Sequence, residues 1–208
     1  MLNKRFKMVI LSLTLCLGLS LTPGSVFATT SNARSQTTRY NYNVPPKTSR
    51  GLRAGTEQVS GISKIKNEIY AAGGDDIAVA VAMLESKTMD SPDNTKGGDA
   101  ANYTRFNMNW YGMRTKLYPT LGPNDAYKVV NDWKGSIKKE TRTFMKYKSA
   151  WGKDFYSIHR GGESGLHGKY KNQIADYQDA IIFIANQLSA NSQFKHDNTR
   201  VWVDVPYI

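Results

Sequence analysis

The fold turns on "VAMLESKTMDSPDNTKGGDAANYTRFNMNWYGM", residues 81–113. An apolar run ends on Glu85, a polar glycine-bearing loop leads to Asp99, and aromatics and asparagines follow. With the residues before it the run reads "DDIAVAVAMLE", which opens on acidic residues that suit a helix N-terminus. It is apolar nearly all round, and a helix of that kind is buried on every side. Its β-branched residues leave a strand reading open. Either element sets the Glu85 carboxyl against apolar side chains. Desolvation disfavours the charged form, so such a glutamate can hold its proton and act as a general acid. Asp99 sits among Gly97, Gly98, Ala100 and Ala101, open to water, the setting of a charged carboxylate. Cleavage of a glycosidic bond uses two carboxyls in contrasting surroundings: one protonates the leaving oxygen, the other activates water or attacks the sugar. A glutamate at a helix end is more often a solvated surface residue. Asp90, Asp93 and Glu163 also compete with Asp99 as the second carboxylate.

Outward from this stretch, "TEQVSGISKIKNEIYAAGG" spaces Val59, Ile62, Ile65 and Ile69 as a helix ending at Gly73. "PNDAYKVVNDW" and "SIKKETRTFMKYKSAW" predict two more, with Asn124 and Ser136 as caps. "NQIADYQDAIIFIANQLSAN" puts Ile174, Tyr177, Ile181, Ile184 and Leu188 on one face. "TRVWVDVPYI" alternates Val201, Val203 and Val205 and predicts a short terminal strand or extended tail. A β element is expected within "DAANYTRFNMNWYGM", on composition and turn residues more than on period. Trp133 and Trp151, at helix ends, are expected in the core. The expected class is α+β: a mainly helical domain with a small antiparallel β-hairpin.

The first residues, "MLNKRFKMVILSLTLCLGLSLTPGSVFA", combine a basic start, a short apolar stretch and small residues at Val26 and Ala28. They read as a secretory signal peptide over 1–28, too short in its apolar run to span a membrane. A secreted protein with no membrane association after cleavage is expected. Residues 29–55, rich in Ser, Thr, Asn, Arg and Pro, read as a flexible leader, and residues 56–208 as one domain. Cys16, the one cysteine, leaves with the signal peptide, which excludes disulfides, thiol chemistry and cysteine-ligated metals from the mature chain. The formal charge of +11 falls to +8 when Lys4, Arg5 and Lys7 are removed. Such a charge suits anionic wall polymers or simple solubility. Nucleic acid is not an expected partner, because no helix-turn-helix, zinc-finger or RNA-binding signature is present.

A glutamate closing a buried helix, a glycine-bearing loop and an Asn-aromatic-x-x-Phe-Asn-x-Asn segment together resemble the lysozyme superfamily. Within it, "GGDAANYTRFNMNWYGMR" is most similar to the endo-β-1,4-mannanases of glycoside hydrolase family 134. The likeness is specific over residues 78–114 and extends more loosely to "HRGGESGLHG" and the helix after it. It implies a lysozyme-like fold and an endo-acting hydrolase that inverts at the anomeric carbon. It also implies Glu85 as the general acid and Asp99 as the base that activates water. The loop holding Asp93 is where that carry-over is least fixed. Inversion requires the two carboxyls about 6.5–9.5 Å apart, leaving room for water.

Polysaccharide clefts set aromatic faces against sugar rings, and amides or hydroxyls against sugar oxygens. "NMNWYGMR" offers Asn107, Asn109, Trp110, Tyr111 and Arg114 beside the expected base. Trp110 and Met113 can equally be core residues, and Asn102 can serve to turn the chain. Asn107 and Asn109, two apart, share a face if the segment is a strand. In "YSIHRGGESGLHGKY", a glycine-rich loop holds His159, Arg160, Glu163 and His167. The spacing fits no standard zinc pattern, so no metal and no cofactor are expected. The resemblance implies that this loop lines the opposite wall of the cleft, with His159 and Arg160 touching substrate. A monomer is expected, since a polymeric β-mannan needs an open cleft. Two alternatives stay open. One is a peptidoglycan-cleaving lysozyme or lytic transglycosylase. The other is a non-catalytic polysaccharide-binding module, which the burial of a carboxyl argues against.

Overall fold

The computed structural model describes residues 43–91 and 96–208. The expected signal peptide, most of the leader and Asp93 lie outside the described residues. The elements run β1 (Ala54–Gln58), α1 (Ile62–Ala71), α2 (Asp76–Glu85), β2 (Asn102–Tyr103), β3 (Met108–Asn109), α3 (Trp110–Leu117), α4 (Tyr127–Val130), α5 (Ile137–Trp151), α6 (Phe155–Leu166), α7 (Lys171–Ala190), α8 (Ser192–His196) and β4 (Thr199–Val203). This is the mainly helical α+β class expected from the sequence, with two small antiparallel pairs, β1–β4 and β2–β3.

The centre of the fold is α2. Asp75 caps it, its side chain accepting from the Ala78 amide at 2.9 Å. From Ala78 to Met83 every residue is buried. Each fully buried Val or Met side chain contributes roughly 1.5–3 kcal/mol of transfer free energy, so this element is fixed by packing more than by propensity. The helical alternative is the one realised, and its packing partners include α7, α5 and β4. The apolar face expected on α7 is present: Ile174, Tyr177, Ile181, Ile184 and Leu188 are all buried.

Several elements depart from the sequence expectation. Residues 56–58 do not extend α1; they belong to β1, paired Thr56↔Val201 and Gln58↔Thr199 with the far end of the chain. Gly61, at φ 88, then turns the chain into α1. Within the stretch read as leader, Ser49 and Arg50 bond Asp179 of α7, and Arg50 Nε also reaches Asp176 at 2.5 Å. The helix expected over "PNDAYKVVNDW" shrinks to one turn with no side-chain cap; Asp125 instead accepts from the Gly122 amide at 2.8 Å. Ser136 does cap α5, accepting from the Lys139 amide. The glycine-rich "loop" after Ser157 is helix α6, broken at Gly162.

A buried ion pair fixes the hairpin to this frame. Arg105, in the β2–β3 turn, donates to Glu140 of α5 at 2.7 Å and to the Met89 carbonyl at 2.8 Å. Glu140 also accepts from the Gly135 amide at 2.6 Å, so the buried charges have hydrogen-bond partners on both sides. Phe106, beside Arg105, stacks on Phe144 at 4.4 Å between ring centroids.

Candidate active site

Glu85 closes α2 with its side chain 10% exposed. Tyr177 of α7 donates to its Oε1 at 2.5 Å, and Asn107 Nδ2 donates to its Oε2 at 2.8 Å. Burial raises the Glu85 pKa above the usual carboxyl range; the bonds from Tyr177 and Asn107, then the charge of Arg160, pull in the other direction without cancelling it. A group in this state carries its proton to higher pH than a free glutamate, as a general acid must.

Asn107 reaches Glu85 because its backbone is left-handed, φ 52. Asparagine tolerates that conformation better than most residues. The same torsion breaks the strand period, so Asn107 and Asn109 do not act as a pair on one strand face, contrary to the sequence expectation. Asn109 turns elsewhere. Its Oδ1 accepts from the Gly112 amide at 3.2 Å and caps α3, while its Nδ2 donates to Asn102 Oδ1 at 3.1 Å. Asn102 thus ties the hairpin together across the register pair Asn102↔Asn109.

Asp99 lies in the short helical turn before β2. Arg114 of α3 grips it bidentately, Nε to Oδ1 and Nη2 to Oδ2, both at 2.5 Å. A carboxylate offers about four acceptor positions, so two stay open to water or substrate. Asp99 lines a pocket of about 530 Å³ with Asn109, Tyr111, His159, Arg160 and Glu163. Glu85 lines an adjoining pocket of about 460 Å³ with Tyr177 and Val205. Arg160 and Tyr207 line both, so the two pockets meet at those residues.

The remaining expected contacts divide. Tyr111 is on the pocket wall with Glu163. Arg160 lies over the Tyr177 ring at 5.1 Å and donates to the Pro206 carbonyl at 3.0 Å. Arg114 meets Asp99 and the Tyr111 ring, so it holds the carboxylate in place. Trp110 is fully buried, stacked near Tyr118 with its Nε1 on the Gly122 carbonyl. It presents no face to a sugar, and its core alternative is the one realised. His159 borders the larger pocket, but its side chain is 1% exposed. It packs among Phe144, Tyr147, Phe155 and Tyr177, and neither ring nitrogen has a hydrogen-bond partner, Nε2 lying 3.9 Å from Glu85 Oε1. Burial, then the charge of Arg160, pulls its pKa down to about 3. Glu163 also lines the Asp99 pocket, while Asp90 lines neither pocket.

Gly162 lines the Asp99 pocket. At φ 56 it takes a backbone conformation that L side chains rarely adopt, and a Cβ added there would lie 3.6 Å from the Asn109 amide group. Two residues of the site had escaped the sequence. Tyr177 reads only as one more residue on an apolar helix face, and Tyr207 only as part of the tail.

The arrangement is a desolvated carboxyl that tends to hold a proton in one pocket and a water-accessible carboxylate in the adjoining one. That chemistry suits acid-assisted displacement at a sugar acetal. No curated protein matches the chain. The sequence model of glycosyl hydrolase family 134 matches residues 63–205, a span from α1 to beyond β4 that holds both carboxyls. The chain belongs to glycosyl hydrolase family 134 and is a glycoside hydrolase.

Proposed function

We propose that the protein is a secreted endo-β-1,4-mannanase that hydrolyses linear mannan with inversion. Glu85 protonates the leaving glycosidic oxygen. Asp99 takes a proton from the water that attacks the anomeric carbon from the opposite face. The observation that carries this reading is the environment of Glu85: a side chain nine-tenths buried at a pocket wall, a raised pKa and two hydrogen bonds that fix its orientation. Arg114 keeps Asp99 aimed into the neighbouring pocket. Tyr111 and Arg160 supply sugar contacts, and the chain acts without a cofactor.

The test is reducing-sugar release from linear β-1,4-mannan by the mature protein, run beside Glu85→Gln and beside purified peptidoglycan. Release by wild type alone, with the opposite anomer appearing first by NMR, supports the proposal. Full activity of Glu85→Gln overturns it. A second reading, a peptidoglycan-cleaving lytic enzyme, draws on the bidentate Arg114 grip, which suits a carboxylate that takes no part in chemistry. It is favoured if wall material clears, mannan is untouched and Asp99→Asn keeps activity.

A further inference from the structure

The C-terminal tail runs between the two pockets. Strand β4 is held by β1 up to Ala54↔Val203, and the Asp204 amide donates to the Arg53 carbonyl at 2.9 Å. Two residues on, the Pro206 carbonyl accepts from Arg160 Nη2 at 3.0 Å. Arg160 is itself seated on the Tyr177 ring, whose hydroxyl holds Glu85. Pro206 also fixes its own φ, which narrows the paths open to the chain. The next residue, Tyr207, is therefore placed by its neighbours and not by its own packing. Its side chain is not needed by the core: the residue is 95% exposed, the most open large hydrophobic among the described residues. Yet it lines both the Glu85 pocket and the Asp99 pocket.

The core does not bury this aromatic ring, and it lies where two polar pockets join. An amphipathic ring offers a flat apolar face and a hydroxyl at one end. The apolar C–H face of a pyranose matches the first, and sugar hydroxyls match the second.

We propose that Tyr207 is a substrate-contacting residue, a stacking platform for the sugar unit that crosses the seam between the two pockets. Pro206 and Arg160 are the parts that position it. This rests on the mannanase reading for the identity of the polymer. The stacked contact forms with the ground state and persists in the transition state, so its loss raises KM and leaves kcat nearly alone. Arg160 thereby joins the tail to the acid: the same guanidinium that holds the Pro206 carbonyl lies over the ring that bonds Glu85.

The experiment compares wild type, Tyr207→Ala, Tyr207→Trp and a chain ending at Val205, by steady-state kinetics on linear β-1,4-mannan. Tyr207→Ala is expected to raise KM by about three- to tenfold, the size of one aromatic contact, with kcat within about twofold of wild type. The shortened chain should match it, and Tyr207→Trp should restore KM. An unchanged KM in Tyr207→Ala overturns the proposal. So does a rise in kcat/KM on shortening, which would make the tail an obstruction. Wild type that releases no sugar from mannan overturns the mannanase reading, and this inference with it, before any variant is compared.

Discussion

Tyr177 donates its phenolic proton to Glu85 Oε1 at 2.5 Å, joining two residues 92 positions apart. Helices α2 and α7 pack along their apolar faces, and at the end of that contact one polar pair faces the cleft. The bond has two effects on the acid. It fixes the carboxyl, and it stabilises the charged form, so it opposes the rise that burial imposes.

Tyr177→Phe removes that opposition and keeps the ring under Arg160. The Glu85 carboxyl then holds its proton to still higher pH, and the alkaline limb of the pH–rate profile moves up. Stability falls by about 1.5–3 kcal/mol, the worth of a hydrogen bond to a charged group. Kinetics across pH check this. An unmoved alkaline limb would show that Tyr177 does not tune the acid.

Glu85→Gln separates stability from activity. The folded-state pKa of Glu85 is raised above its usual value near 4.5, so its ionisation is harder folded than unfolded. Wild-type stability is therefore intact below about pH 4.5 and falls as pH rises towards the folded pKa. Glutamine has no charge to bury. Glu85→Gln should be the more stable protein at pH 7 and equal to wild type near about pH 4, while activity drops about 10²–10⁴-fold. Urea melts at the two pH values measure the difference.

How far the sequence could be read follows from range. Helix α2 and its terminal glutamate were legible because the signal is local: an unbroken apolar run closed by one carboxylate. The hairpin was legible from its asparagines and aromatics. Strand β1 was not, because Thr56–Gln58 find their partners at residues 199–201, and no local pattern encodes that pairing. Helix α6 was hidden by Gly161, Gly162 and Gly165, which read as loop; packing against α7 and α3 keeps it helical. His159 and Trp110 read as site residues by type. Their burial was decided by neighbours on other elements, Phe155 and Tyr118 among them.

His159 should make the fold sensitive to acid. Its folded pKa lies at about 3, against 6.5 for the free group. Its share of stability is present above pH 6.5 and is lost as pH falls through the window between the two values. Each pH unit inside it removes about 1.4 kcal/mol at most. His159→Phe keeps the stack on Phe155 and removes the titration. Thermal melts at about pH 5 and pH 8 should show that variant losing less stability on acidification than wild type. Parallel losses would place His159 in contact with water.

Arg105→Met should weaken both fold and site. It leaves Glu140 charged and 0% exposed without its cation, and breaking a buried pair from one side costs about 3–5 kcal/mol. The hairpin also loses its tie to the Met89 carbonyl. Asn107, two residues on, then no longer holds Glu85, and kcat falls along with stability. The double variant Arg105→Met, Glu140→Leu should recover much of the stability. Chemical denaturation of the single and double variants reads out both terms, and equal midpoints for the two would show that the pair is not coupled.

Arg114 and Asp99 decide the mechanism. If Asp99 activates water, Asp99→Ala loses about 10²–10⁴-fold in rate and keeps KM. Azide needs no proton removed before it attacks, so azide should restore turnover of Asp99→Ala and yield a glycosyl azide of inverted configuration. Arg114→Lys keeps the charge but gives up the paired Nε and Nη2 contacts. A lysine presents a point charge where arginine presents a fork, so the carboxylate loses its aim and kcat falls part of the way while KM holds. If Asp99 is only a structural partner of Arg114, azide does nothing, and both variants lose stability in step with activity. Product analysis by NMR and melting curves on the same preparations separate the two outcomes.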